Sequence, residues 1–240
     1  MRTEISGLFD LDTPIGEVAR ACPAASDILE HLDIEYACNG RQSLSDAAEA
    51  AGVPPILALR RVNAAAAELP LDDEPTLEDL VERVLIEHHR EERQRMGVLD
   101  HILSLDVGHS ETLGRLQRLA ARLEATIRQH MDREEHDLFP AVERLATASS
   151  GSAVSIARRI YVEFVEHNTI HDMLIKLREL RLRASLEGCD ERVITSLLTF
   201  ERQTLRHIHI ENNVLLPKAL EAENRLKARH EVSEGQLAQA

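Results

Sequence analysis

The sequence predicts an all-α protein, with an antiparallel four-helix bundle preceded by a small helical domain. Aromatic residues make up only 2% of the 240 residues, whereas strands favour aromatic and β-branched side chains. Alanine, leucine, glutamate and arginine are abundant instead, and these residues are good helix formers. A hydrophobic content of 43% permits a sizeable core, and a charged content of 29% suits amphipathic helices.

Residues 1–69 are expected to form the small helical domain. The stretch DTPIGEVARAC has a Thr cap and a proline at the first helical position, and PAASDILEHL continues with apolar residues at helical spacing. The Asn-Gly pair in YACNG marks a turn. Two further helices follow, in SLSDAAEAAG and PPILALRRVNAAAAEL. The prolines and acidic residues of PLDDEPT then predict a linker at residues 70–76.

Four longer helices are predicted beyond this linker. Thr76 caps the first, with Asp79 three residues later in a loose version of the capping box, and this helix ends near DVG. The other three are expected at about Glu111–Leu145, Ala153–Leu186 and Asp190–Leu226. Short connections favour an antiparallel bundle over residues 77–226. Residues 227–240 are polar and are expected to form a frayed tail.

Charge, hydropathy and cysteine content narrow the function. A formal net charge of −14 argues against nucleic-acid binding, which needs clustered lysine and arginine. No apolar run approaches the roughly 18 residues that span a bilayer, and the N-terminus lacks the apolar stretch of a signal peptide. The three cysteines, Cys22, Cys38 and Cys189, imply no disulfide framework. The expected location is therefore the cytoplasm, without a nucleic-acid or membrane partner.

The bundle region repeats the pattern His-x-x-x-Glu-x-x-x-x-x-Pro, in HMDREEHDLFP at residues 130–140 and HIHIENNVLLP at residues 207–217. The two copies are 77 residues apart at the histidine, the glutamate and the proline. The helix before each copy carries a further histidine, His89 and His167, 78 residues apart. The repeated unit is thus a hairpin of two helices with three polar side chains. The proline is expected to bend each helix over a pocket.

Helix geometry brings these side chains to one level of the bundle. Residues four apart share a helix face, so His130 and Glu134 aim at one point, as do His207 and Glu211. His89 lies about 25 Å before its turn and His130 about 28 Å after it, at ~1.5 Å rise per residue. The second hairpin gives similar lengths around His167 and His207. All six side chains can therefore meet in one layer.

Four imidazoles and two carboxylates in one layer predict a dinuclear metal site. Each glutamate can bridge two metals, and the mixed nitrogen and oxygen set in a four-helix bundle favours iron. Open positions would remain for an oxo bridge and a small ligand. The alternative is that these histidines lie on solvated helix faces. The matched spacing, and apolar residues such as Leu85, Ile127 and Leu138 on the same faces, favour the metal site.

The segments EHHREE, HMDREEHDLFP, EHNTIHDML and HIHIENNVLLP resemble those of hemerythrin-like (HHE) cation-binding domains, over about residues 77–226. The preceding ACPAASDILEHLDIEYACNGRQSLSDAA is similar to the short Cys-containing domain of the repair-of-iron-centres family. The resemblance implies a cytoplasmic, stress-linked di-iron protein that restores iron–sulfur clusters damaged by nitric oxide or peroxide. It carries the iron ligands over to His89, His130, Glu134, His167, His207 and Glu211, with the glutamates bridging. A homodimer is consistent with this likeness.

Two further residues are candidates for chemistry. Members of the resembled family carry one or two cysteines in a Y-x-C-x-G stretch. Here Ala37 stands where some relatives have the second, which leaves Cys38 as a possible redox or cluster-contacting thiol or an ordinary cysteine. Glu166, which precedes His167, either borders the pocket as a proton acceptor or lies on the surface.

Several histidines are ambiguous from the sequence. His88 and His89 lie about 100° apart on a helix, and the apolar stripe through Leu85 favours His89, with His88 on the surface. His171, four residues after His167, is either an additional ligand or a residue outside the ligand set. His209 points roughly 200° away from His207 and is expected to be a non-ligand.

Three functions are compatible with these features. The first is repair of iron–sulfur clusters by iron delivery or by nitric oxide handling at the di-iron centre, for which damaged iron–sulfur proteins are the partners. Whether nitric oxide is reduced, which would make the protein an enzyme, is left open. The second is binding, scavenging or sensing of NO or O2 without repair. The third is a helical interaction protein that binds no metal.

Overall fold

The computed structural model describes residues 9–66, 75–104, 110–148 and 155–237. Within these ranges all regular elements are helices, and the extended backbone forms a single isolated antiparallel bridge between Pro14 and Ser43. The predicted all-α class is confirmed. No helix in the described ranges is long and apolar enough to cross a membrane.

The chain divides into two compact units. The first comprises residues 1–74 together with residues 208–214, and the second comprises residues 75–207 together with residues 215–240. A short segment near the end of the sequence therefore belongs to the same compact unit as the N-terminal helices. Most of the predicted linker, residues 70–76, falls outside the described residues.

Four short helices form the N-terminal part of the first unit, at α1 (Ile15–Ala21), α2 (Pro23–His31), α3 (Leu44–Ala50) and α4 (Pro55–Ala66). The Ser43 hydroxyl caps α3 by accepting the Asp46 N–H at 3.0 Å. The predicted Thr13 cap of α1 is wrong, because Pro14 occupies the cap position and the Thr13 hydroxyl donates to Asp10 instead. The core of this unit is aliphatic apart from Phe9, Tyr36 and Cys22.

The four long helices follow. Helix α5 (77–104) begins with the predicted capping box: the Thr76 hydroxyl accepts the Asp79 N–H, and the Asp79 carboxylate accepts the Thr76 N–H. Helix α6 (111–147) begins at the Ser110 cap, helix α7 spans Ala157–Leu186, and helix α8 covers 191–237. The predicted end of α5 near 106–108 and the predicted start of α7 at Ala153 fall outside the described residues.

The end of α7 agrees with the sequence prediction, whereas the end of α8 differs from it. Helix α7 stops where Gly188 adopts a φ of 82°, a left-handed conformation that glycine adopts without strain. Helix α8 continues to Leu237, beyond the predicted end at Leu226. Polar composition alone does not end a helix, because glutamate, lysine, arginine and alanine are all good helix formers.

Three of the long helices contain a π-helical segment. These segments are Val84–His89 in α5, Glu134–Leu138 in α6 and Glu211–Leu215 in α8. In α6 the Phe139 N–H bonds the Glu134 carbonyl, five residues back rather than four. Pro140 and Pro217 each follow two residues after such a segment. A proline ring clashes with the carbonyl four residues earlier, so each proline disfavours a regular α-helix at this point.

Candidate metal centre

Six polar side chains are buried where the long helices carry the repeated pattern. All six are at most 2% exposed: His89, His130, Glu134, His167, His207 and Glu211. One helix supplies His89 and another His167, while α6 supplies His130 with Glu134 and α8 supplies His207 with Glu211. Burying so many polar groups is costly unless they bind one another or a metal ion.

The six side chains form two overlapping groups of ligand atoms. His89, His207, Glu134 and Glu211 form the first, and the ligand atoms within it lie within 4.8 Å of one another. His130 and His167 form the second with the same two glutamates, at the same spacing. Each group thus has two imidazoles of its own, and both glutamates belong to both groups. This sharing is what two metal ions with two carboxylate bridges require.

The imidazoles present their Nε2 atoms to the inside of the cluster. Glu134 Oε2 lies 3.2 Å from His89 Nε2 and 3.3 Å from His130 Nε2. His167 Nε2 lies 3.2 Å from His130 Nε2. Two of the three contacts therefore place the shared Glu134 carboxylate between histidines from different helices.

His89, His130 and His207 each have a carboxylate against their other ring nitrogen. Glu135 lies 2.7 Å from His89 Nδ1, and Glu92 lies 2.7 Å from His207 Nδ1. His130 Nδ1 lies 3.2 Å from both Glu163 and Glu166. A carboxylate in this position holds the proton on Nδ1, which leaves Nε2 as the metal ligand and makes it a stronger donor.

Glu92 shows how such a buried charge is retained. Burial raises the pKa of this carboxyl, but the charge and hydrogen bond of His207 and the hydroxyl of Thr204 outweigh that effect, so its pKa is lowered overall. The Thr204 hydroxyl donates to Glu92 at 2.6 Å. Glu92 is therefore an anion that positions His207.

The donor set fits iron. Imidazole and carboxylate are the donors of the two groups, and no thiolate is among them. Structural zinc sites prefer four ligands and often include thiolates, whereas two imidazoles and two shared carboxylates on each of two ions suit iron in a four-helix bundle. Bound iron would supply redox chemistry and an open position for a small ligand.

The ambiguous histidines occupy different environments. His88 is half-buried rather than on the surface, and its ring stacks at 5.7 Å from that of His207. His171 is half-buried and belongs to neither ligand group among the described residues. His209 is buried, and burial lowers its pKa to about 4, so this imidazole is neutral near pH 7. Its ring contacts Tyr36, away from the ligand groups.

Glu166 and Cys38 are both partly accessible. The Glu166 side chain is 25% exposed, contacts His130 Nδ1 and pairs with Arg133, so it lies between the buried cluster and solvent. Cys38 is a half-buried thiol. Its N–H donates to the Glu35 carboxylate at 2.7 Å, and the same carboxylate accepts the N–H groups of Ala37 and Asn39.

Sequence reasoning missed the carboxylates behind the histidines. Glu135 contacts His89 and Arg93, and the sequence pattern singles out neither this residue nor Glu92 and Glu163. The spacing contained a usable signal, because Glu92 follows His89 by three residues and Glu163 precedes His167 by four, which places each on the same helix face as a ligand.

Known families and named proteins match both the N-terminal residues and the bundle region of this chain. Residues 11–66 match a family described as a domain of unknown function (DUF542). Three relatives, each named iron-sulfur cluster repair protein YtfE, come from Cronobacter sakazakii, Citrobacter koseri and Escherichia coli O157:H7, at 26%, 24% and 24% identity. The matches cover 88% of this chain and 98% of each relative. Residues 80–219 match the hemerythrin HHE cation binding domain, more than half of the chain, so the protein belongs to this family, whose cofactor is a pair of iron ions.

Proposed function

We propose that this protein repairs iron–sulfur clusters damaged by nitrosative or oxidative stress. One observation carries the proposal: two buried groups of ligands share Glu134 and Glu211, as a carboxylate-bridged di-iron centre requires. The combination of this centre with a DUF542 unit supports it, because relatives named for iron–sulfur cluster repair match almost the full length of the chain.

The proposed ligands are His89 and His207 for one iron ion and His130 and His167 for the other, with both glutamates bridging. Glu92, Glu135 and Glu163 orient three of these imidazoles from behind. Glu166 serves as the proton acceptor at the solvent side, because its carboxylate is partly exposed and contacts His130. Iron delivery and nitric oxide handling both use this centre.

Damaged iron–sulfur proteins are the proposed partners, and NO or O2 the proposed small ligands. Cys38 is the proposed thiol that contacts a damaged cluster, since it is half-buried and lies within a bend held by the Glu35 carboxylate. Three reduced cysteines at wide spacing support a cytoplasmic location.

A repair assay tests this function. The iron-loaded protein is added to a [4Fe–4S] dehydratase inactivated by nitric oxide, and recovery of the dehydratase activity is followed. We expect recovery with the native chain, none with His130→Ala, and near-native recovery with His136→Ala, an exposed histidine outside both ligand groups. Equal recovery with native protein and His130→Ala would contradict the proposal.

Binding of NO or O2 without repair is the second candidate. The almost complete burial of all six proposed ligands favours it, because a buried centre retains its metal. Cys38→Ser separates the two functions. Under the repair proposal this variant binds NO at the native level, measured by absorption spectroscopy, but restores little dehydratase activity. Repair at the native level by Cys38→Ser would exclude the proposed role of Cys38 in contacting the damaged cluster.

A further inference from the structure

The Asn213 side chain forms hydrogen bonds to backbone carbonyls of the first unit. It lies two residues after Glu211, in the same π-helical segment. Its Nδ2 donates to the carbonyls of Tyr36 and Ala37, at 3.2 and 3.1 Å, and lies 3.0 Å from His209 Nδ1. The neighbouring Asn212 also donates to the Ala37 carbonyl, at 3.2 Å.

Two glycines make room for this side chain. A Cβ on Gly40 would lie 1.9 Å from Asn213 Oδ1, and a Cβ on Gly16 would lie 2.6 Å from the same atom. The two glycines lie side by side in space, because the Gly16 N–H donates to the Gly40 carbonyl at 2.8 Å. Neither has a positive φ, so space, rather than backbone conformation, requires glycine at both positions.

The surrounding contacts are buried and specific. The Tyr36 ring meets His209 edge-on, at 5.0 Å between centroids. The Tyr36 hydroxyl donates to Glu30 at 2.9 Å, and both side chains are buried. Residues 208–214 are thus held by hydrogen bonds and by the close packing of Asn213 against Gly16 and Gly40. The same short segment contains Glu211.

We propose that Asn213, seated against Gly16 and Gly40, is the positioning residue through which the N-terminal helices hold the turn that carries Glu211. This inference rests on the proposed role of Glu211 as a bridging ligand. A bridging carboxylate must be held within about 0.5 Å of its productive position. The position of the Asn213 side chain and the retention of iron are therefore coupled. A substitution that displaces this side chain speeds the loss of iron.

Gly40→Ala tests the coupling in the full-length protein. The added methyl group displaces Asn213, so we expect faster hydrogen exchange at residues 208–214 in the metal-free protein. From the iron-loaded protein we expect about 10-fold faster transfer of iron to a ferrous chelator, within the usual range of coupling between sites. Gly114→Ala is the matched control, because a Cβ there meets only the Arg118 guanidinium, at 3.6 Å. It should change neither rate.

A double variant shows whether the effect acts through Asn213. In an Asn213→Ala background, which itself releases iron faster than native protein, Gly40→Ala should add no more than about a 2-fold change, because the side chain that it displaces is gone. Additive effects would overturn the proposal. So would faster exchange at residues 208–214 with native iron release. If Glu211→Ala retained two iron ions at native affinity, the proposed ligand set would fail instead.

Discussion

At the level of single residues, the structure separates two adjacent histidines. His89 is fully buried and belongs to a ligand group, whereas His88 is half-buried and stacks on His207. We expect His89→Ala to lose iron at its position, since one of two imidazoles is removed there. His88→Ala should keep two iron ions per chain. Elemental analysis after anaerobic purification measures both, and the reverse pattern would contradict the assignment.

Glu92 offers a second test at this level. The substitution Glu92→Gln keeps the shape but removes the charge that holds the proton on His207 Nδ1. Loss of such a carboxylate weakens metal binding by about 10- to 100-fold, and chelator competition measures this change. Glu201→Gln is the control, because Glu201 is equally buried but pairs with Arg178 and Arg181. Native iron affinity in Glu92→Gln would exclude the positioning role.

The repeat marks the six proposed ligands in the sequence, whereas the spacing places Glu92 and Glu163 on a ligand's helix face without showing which histidine each contacts. Sequence reasoning assigns a charged residue to solvent by default, since glutamate is rarely buried without a partner. Glu92 and Glu163 break that rule because each contacts a ligand histidine from another helix. Such pairs across the bundle cannot be read from one helix alone.

At the level of elements, the π-helical segments are the feature that the sequence concealed. Each contains a proposed ligand at one end: His89, Glu134 or Glu211. Helical periodicity assumes 3.6 residues per turn, so one additional residue in a turn leaves no clear signal. The sequence predicts that each proline bends its helix. In the structure each proline lies two residues after a π-helical segment, where the hydrogen-bond register has changed.

Pro140→Ala tests the role of this proline. Alanine restores an N–H that can bond the His136 carbonyl, which favours a regular α-helix over the π-helical turn of Glu134. We expect the metal-free protein to melt at a higher temperature, because its free energy of unfolding rises by at most the ~3 kcal/mol that proline costs inside a helix. Iron should leave faster, because the preferred position of Glu134 shifts.

The matched control for Pro140→Ala is Pro55→Ala. Pro55 is the first residue of α4, where a missing N–H costs little. This variant should leave iron release unchanged. Native iron release from Pro140→Ala would show that the π-helical turn does not depend on its proline.

At the level of the whole molecule, metal binding and folding stability are linked. Without metal, buried carboxylates and imidazoles lose much of their stabilisation. Iron in 100-fold excess over its Kd adds about 2.7 kcal/mol to the free energy of unfolding. Calorimetry should therefore show a higher Tm for iron-loaded than for chelated protein, and a much smaller difference for His130→Ala. Identical Tm values in the native pair would contradict a buried metal site.

The fold class, the family resemblance and the di-iron cofactor were predicted from the sequence and are confirmed. Composition and repeat spacing carry that information. The grouping of residues 208–214 with the N-terminal helices was not predictable. It depends on side-chain amides that donate to the backbone carbonyls of Tyr36 and Ala37. Every residue has a backbone carbonyl, so the sequence does not show which carbonyl accepts such a bond.

The central claim is that two iron ions share Glu134 and Glu211. Anomalous diffraction at the iron edge from crystals of the iron-loaded protein tests it most directly. We expect two iron peaks bridged by both glutamates, one bound by His89 and His207 and the other by His130 and His167. A single peak, or iron bound by His130, Glu163 and Glu166 alone, would contradict it.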